Sequence, residues 1–340
     1  MSKRATIAEV AELAGVHKAT VSRALNPGTA HYVNAVTAKK VQRAAKQLGY
    51  IPNIMARGLR MSLSMTIGVI VPDLENPIFP PIMRGIENYL SPRGYTALLA
   101  NTDGRDSLER AAFDSLLQRR VDGFVMATGQ TEHPLLADAY ARGIRAVMLN
   151  RGTVGVPYPL VTGADGAGIT AAVSHLVGLG HRHLLHVAGP DNFTTSLARS
   201  DAFTTACATH RSVKHRVVTA QALSVAAGES TMDGILTSGN AYPTAIVAGN
   251  DLLAIGILHS LREHGLDCPR DVSVIGFNDM PFAEDIQPPL TTIHVPHREL
   301  GAEAARLLLN AIQEGKQEPL TVTLPVSLIV RASTAKPAAH

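Results

Sequence analysis

Between His17 and Leu25 the chain reads HKATVSRAL. Val21 and Leu25, with Val16 just ahead of them, recur at the spacing of one helical face, the face that packs against neighbouring helices. The opposite face carries His17, Lys18, Ala19, Thr20, Ser22 and Arg23, all small, cationic or hydrogen-bonding. Such groups suit DNA. A lysine reaches guanine O6 and N7, an alanine methyl touches a thymine methyl, and hydroxyls at a helix N-terminus hold phosphates. Lys18 and Ala19 are the expected base readers, with His17 and Arg23 beside them and Thr20 and Ser22 suited to phosphates. A packing helix in a small bundle explains Val16, Val21 and Leu25 equally well, but leaves the polar run without a reason.

A second set of polar residues follows apolar runs further along. Asp73 to Phe79, with Asn76 among them, follow TIGVIV; Asn150 and Arg151 follow AVML. Asn250 and Asp251 follow TAIVAG, and Asn278 and Asp279 follow VSVIGF. Each alone reads as a helix cap. Several together mark a binding cleft, because ligands of open parallel sheets sit beyond the carboxyl ends of the strands. An arginine in a largely apolar cleft needs a partner, and a ligand hydroxyl, carboxylate or phosphate would supply one; the family resemblance given below puts Arg199, in LARSDAF, in that position. Should Arg151 also face inward, two guanidiniums would favour an acidic ligand such as a sugar acid. A surface bridge between lobes is the other reading of Arg151. The chain has no Trp, so stacking on a sugar ring falls to Phe79, Phe193 or Phe277.

Other chemistry is thin. His181 and His183 form an H-x-H that strand alternation would place on one face, a weak metal hint that we set aside. GADGAG at 163–168 lacks the Lys-Ser/Thr of a phosphate loop, and no G-x-S-x-G elbow appears. We expect no enzyme, no metal and no cofactor. Cys207 and Cys268 stand far apart, as unpaired thiols in a reducing cytoplasm would.

Helices must position the first set. Thr6 caps IAEVAELA with Glu9 three residues on, Gly15 ends that helix in a permissive backbone, and a second helix runs from about His17 to Leu25. NPG at 26–28 stops it, and a third helix spans about Ala35 to Leu48. Two short helices across a tight Gly turn make a helix-turn-helix whose second member enters the major groove. Residues 1–60 hold ten Lys or Arg against Glu9 and Glu12, a charge of +8, while the remainder carries −5. A basic head on a mildly acidic body is the footprint of a nucleic-acid module joined to something else. From Thr66 on, continuous apolar strands alternate with helices in two rounds, which predicts an α/β body of two doubly wound lobes with parallel sheets. No apolar run reaches the roughly 18 residues that span a bilayer. The N-terminus has no secretory h-region, so a cytoplasmic protein is expected.

TIAEVAELAGVHKATVSRALN, followed by VQRAAKQLGYIPNIMARGLR, resembles the N-terminus of the lac repressor (LacI/GalR) family of bacterial transcription regulators. TIGVIVPDLENPIF, GHRHLLHVAGP, IVAGNDLLAIGIL, VSVIGFNDM and PPLTTIHVPHRELG extend the resemblance along the whole chain. It implies a helix-turn-helix DNA-binding domain at 1–51, a hinge helix and linker at 52–64, and a two-lobed, periplasmic-binding-protein-like effector-binding and dimerisation domain at 65–340. Thr6, Asn26, Tyr50, Asn53, Ala56 and Leu59 join the DNA-contacting set on this ground, Leu59 as a minor-groove wedge. An inert linker reads PNIMARGLR equally. The effector pocket would take Asn76, Phe79, Asn150, Arg151, Arg199, Asn250 and Asn278; Asn278 replaces the first acid of a frequent Asp-Asp, which leaves one fewer fixed carboxylate. The implied partners are a pseudo-palindromic operator, a sugar or sugar-acid effector and a second copy of the chain, since no heptad tail follows VSLIVRASTA. A solute-binding protein of the same two-lobed shape is the competing reading, and the basic head opposes it.

Overall fold

A computed structural model describes residues 5–25, 29–50, 63–238 and 242–338. The chain divides into two compact units, Met1–Ser64 and Met65–His340. In the first, α1 (Ile7–Ala14), α2 (Lys18–Ala24) and α3 (Ala35–Gln47) close on a core of Val10, Ala11, Val21, Ala24, Val41, Ala44 and Ala45. The α1 start is a complete capping box: Glu9 N donates to Thr6 Oγ1 at 3.3 Å and Thr6 N donates to Glu9 Oε2 at 2.6 Å. Gly15 takes φ +64°, a left-handed value that a side chain disfavours, and so turns α1 sharply into α2.

The second unit holds two six-stranded sheets. The first lobe is built from β1 (Thr66–Val71), α4 (Phe79–Leu90), β2 (Thr96–Asn101), α5 (Asp106–Gln118), β3 (Gly123–Met126), α6 (Pro134–Ala141), β4 (Ala146–Leu149) and β5 (Leu160–Gly163). The chain then crosses to the second lobe with α7 (Asp165–Leu179), β6 (His183–Ala188), α8 (Thr194–Ala208), β7 (Lys214–Thr219), α9 (Val225–Thr237), β8 (Ala245–Ala248), α10 (Asp251–Glu263), β9 (Ser273–Asn278) and β10 (Thr291–His294). It returns for α11 (His297–Glu314) and β11 (Thr321–Leu324), and crosses once more into β12 (Ser327–Ile329). The sheet orders are β11-β5-β4-β3-β1-β2 and β12-β10-β9-β8-β6-β7, all parallel except the β10–β12 pair. Helices on both faces explain why β8 and β9 are buried at every residue. The alternation in sequence predicts two simple rounds of β and α; instead α11 and β11, late in the chain, complete the first lobe.

The three crossings run together. A Cβ on Gly163, in the first crossing, would lie 3.3 Å from Val326 in the third and 3.5 Å from Val295 in the second. The H-x-H pair resolves as structure. His181 precedes β6 rather than sharing a strand face with His183, and its ring bonds Thr244 Oγ1 at 3.0 Å and the Ala335 carbonyl at 2.8 Å. Among the described residues no cluster of metal-ligating side chains occurs, and no helix is long and apolar enough to cross a membrane.

Candidate DNA-reading face and interlobe cleft

The N-terminal unit presents α2 as the sequence suggests. Val21 and Ala24 are buried, whereas His17, Lys18, Ala19 and Arg23 are exposed and Thr20 and Ser22 half-exposed. His17 also serves the fold, because its Nδ1 accepts from Ala19 N at 3.2 Å and caps α2, which leaves Nε2 as the outward nitrogen. Thr6 is exposed but committed to the capping box. Tyr50 is half-buried and packs against the core, so its ring is at least partly a structural element. Asn26, Asn53, Ala56 and Leu59, and most of the expected hinge, lie outside the described residues. The ring of exposed Tyr32 lies tilted against that of His31, centroids 3.9 Å apart, just before α3, a pair that helical periodicity could not single out.

In the second unit Asn76, Asn150, Arg151, Asn250 and Asn278 lie at or just beyond strand carboxyl ends, whereas Arg199 stands within a helix. Arg199, on α8, is buried at 5% exposure. Its Nε and Nη2 both donate to Asp165 Oδ1, at 3.1 and 2.8 Å, and its Nη1 donates to the Gly249 carbonyl at 2.6 Å. Phe277 lies under the guanidinium, with Cζ 3.7 Å from the ring centroid. The expected need for a ligand partner is therefore corrected: Asp165, just past the first crossing, already neutralises Arg199. Sequence reasoning misses Asp165, because GADGAG draws notice only as a would-be phosphate loop.

Arg151 faces inward. Its Cζ lies 3.8 Å from the ring centroid of Phe193, across the cleft on the second lobe. Burial, and then the nearby charge of Arg199, push its pKa down to about 10. The stacking expectation changes accordingly, since Phe193 and Phe277 each have one face taken by a guanidinium and Phe79 is buried in the start of α4. Main-chain and side-chain bonds tie the same two lobes together. Thr131 N donates to the Asn192 carbonyl at 2.8 Å, Gly152 N to Thr194 Oγ1 at 3.1 Å, and Asn192 Nδ2 to Gln130 Oε1 at 3.3 Å.

The four asparagines divide by role. Asn250 caps α10, accepting from Leu253 N at 2.8 Å, and Asn76 accepts from Ile78 N at 3.3 Å in the turn before α4. Asn250 thus has the helix-cap role it suggested alone, whereas Asn76 closes a side-chain turn ahead of α4, whose own cap position is Ile78. Asn150 and Asn278 differ: both take left-handed backbone at strand ends, φ +66° and +120°. Beside Asn278, Asp279 receives Arg331 Nη2 at 2.8 Å and pairs with His294 at 2.9 Å. Asp251 is fully buried, accepting from Met280 N and Thr292 Oγ1 at 2.8 and 2.5 Å, and burial raises its pKa to about 6. A surface hollow of about 470 Å³, lined by Arg84, Glu87, Tyr95 and neighbours, lies on α4 and β2, away from this cleft.

Residues 6–53 match the family described as bacterial regulatory proteins, lacI family, and residues 173–334 match the periplasmic binding protein-like domain. The ribose operon repressor of Halalkalibacterium halodurans is 32% identical over 97% of this chain and 97% of its own. The structure of the lac repressor dimer bound to operator and the anti-inducer ONPF superposes with a TM-score of 0.83 at 29% identity, covering 98% of this chain and all of that one. A LacI family transcriptional regulator from Enterococcus faecium with bound ribose gives 0.70 at 33% identity over 80% of this chain and 99% of its own. The chain belongs to the lacI family of bacterial regulatory proteins: it is a DNA-binding transcriptional regulator, not an enzyme.

Proposed function

We propose that the protein is a cytoplasmic repressor that binds near-palindromic operator DNA as a homodimer and is controlled by a sugar or sugar acid held between its lobes. The observation that carries this reading is the α2 surface, where Lys18, Ala19 and Arg23 are exposed on a helix that buries only Val21 and Ala24. Lys18 and Ala19 read base edges, and His17, Thr20, Ser22 and Arg23 hold the flanking phosphates and bases. Residues 1–51 form the DNA-binding domain, 52–64 the hinge and 65–340 the sensor. In the sensor, Asn150, Arg151, Arg199 and Asn278 surround the effector, while Asn76, Phe79 and Asn250 shape the ends of the elements that carry them. Relatives solved with operator and anti-inducer, or with ribose, support the two-site reading.

The test is selection from a random duplex library followed by anisotropy on the enriched sequence. Lys18→Ala is expected to weaken the enriched duplex by about 1–3 kcal/mol and scrambled duplex far less. Absence of any enriched sequence, or equal loss on both duplexes, sinks the base-reading role.

A further inference from the structure

Arg151 is 8% exposed, its Nε–H meets no acceptor, and among the described residues no carboxylate pairs with it. The Phe193 ring covers one flat face of the guanidinium. Stacking of that kind leaves the in-plane N–H edge open to a carboxylate or phosphate, which a guanidinium grips with two parallel hydrogen bonds. Arg199 faces the same cleft with its charge already answered by Asp165. Of the two buried guanidiniums only Arg199 has a carboxylate partner, so the charge of Arg151 is unanswered. An unanswered buried charge is among the costlier arrangements in a protein interior. Arg151 stands on the first lobe and Arg199 on the second, so their repulsion opposes closure of the cleft.

We propose that the effector bears an anionic group, carboxylate or phosphate, which docks on the N–H edge of Arg151 between the two arginines. The proposal rests on the reading of the cleft as the effector site. The anion answers the charge of Arg151 and offsets its repulsion with Arg199 across the lobes, so it favours the closed arrangement; an effector acts only through such a difference between states. Asn150 and Asn278, on their left-handed backbone, remain for the hydroxyls of the same ligand.

The full chain and Arg151→Met are titrated by thermal shift at constant ionic strength with gluconate, galacturonate, ribose 5-phosphate and inorganic phosphate. Ribose and glucose serve as neutral counterparts. At least one anionic probe is expected to raise the wild-type melting temperature saturably and to bind Arg151→Met at least tenfold more weakly. The carboxylate and phosphate arms tell which anion the site takes. A shift of equal size in both proteins overturns the proposal, whichever probe gives it, and so does the failure of every anionic probe to bind the wild type. A neutral sugar that binds both proteins alike removes the charge assignment yet retains the effector reading. That reading is tested separately, by whether a bound probe changes operator affinity.

Discussion

At the scale of single residues, the Asp165–Arg199 pair decides how the second lobe tolerates its own charge. Both side chains are more than nine-tenths buried. Removing one partner of such a pair strands the other charge and costs about 3–5 kcal/mol, whereas replacing both by apolar groups costs far less. Asp165→Leu should therefore lower the unfolding free energy by that amount, and the double variant Asp165→Leu with Arg199→Leu should recover much of it; additive losses in urea denaturation would refute the pairing. Three buried titratable groups contribute to the acid response. Burial holds His186 and His297 neutral, with pKa values near 4, so their contribution is complete above pH 6.5 and is lost as pH falls through 4. Asp251, raised to about 6, works in the opposite direction: its contribution is present below 3.8 and is lost as pH rises through 6. The two histidines outweigh the one aspartate, so stability falls between pH 6.5 and 4. In His297→Gln that acid limb should be shallower by on the order of 3 kcal/mol, and in Asp251→Asn steeper, since the opposing gain is gone. Midpoints of denaturation measured across this range in the three proteins check both signs.

At the scale of elements, each lobe contains one helix pair brought together by reciprocal glycines. A Cβ on Gly85 of α4 would lie 2.0 Å from the Arg298 carbonyl oxygen, and one on Gly301 of α11 would lie 2.1 Å from that of Ile82. In the other lobe a Cβ on Gly228 of α9 would meet the Leu253 carbonyl oxygen at 2.4 Å, and one on Gly256 of α10 would meet that of Val225 at 2.0 Å. The obstacles are backbone, so a methyl group must push whole helices apart. Gly301→Ala is expected to cost at least the roughly 1–3 kcal/mol of an overpacked core. Gly178→Ala, in the last turn of α7 with nothing within 4 Å, is the counterpart and should stabilise by about 0.5–1 kcal/mol. Urea midpoints of opposite sign would bear out the contrast, and two losses of equal size would refute it. Such crossings cannot be read from sequence, because nothing along α11 says which helix it will meet. The strands divide in the same way. Buried β1, β8 and β9 stand out as apolar runs, but the edge strand β7 reads KHRVVT with its outer residues exposed, and β11 and β12 are short and partly exposed. In the cleft, Arg199 was legible as a cation in need of a partner. Asp165 was not, because the two lie 34 positions apart and meet only once the first crossing has been made.

At the scale of the whole molecule, two sites with different exposure should answer salt differently. Residues 1–60 carry +8 and the rest −5, so attraction to DNA is confined to the head while the body's net charge opposes it. Lys18, Arg23, Lys39, Lys40, Arg43 and Lys46 are all exposed, and each that meets a phosphate releases condensed counterions. A protein that neutralises about six phosphates loses about a thousandfold in affinity between roughly 50 and 200 mM salt. The cleft is a different environment. Arg151 and Arg199 are 8% and 5% exposed, and charges at that depth are screened far less by mobile ions than surface charges are. Operator affinity should therefore fall steeply along a salt series, while the affinity for an effector in the cleft changes by only a small factor. Anisotropy on the operator and calorimetry on the effector, run in the same buffers, give the two slopes directly. A shallow slope for DNA would mean that the basic head does not neutralise phosphates. An equally steep slope for the effector would mean that its site is open to solvent and not enclosed between the lobes.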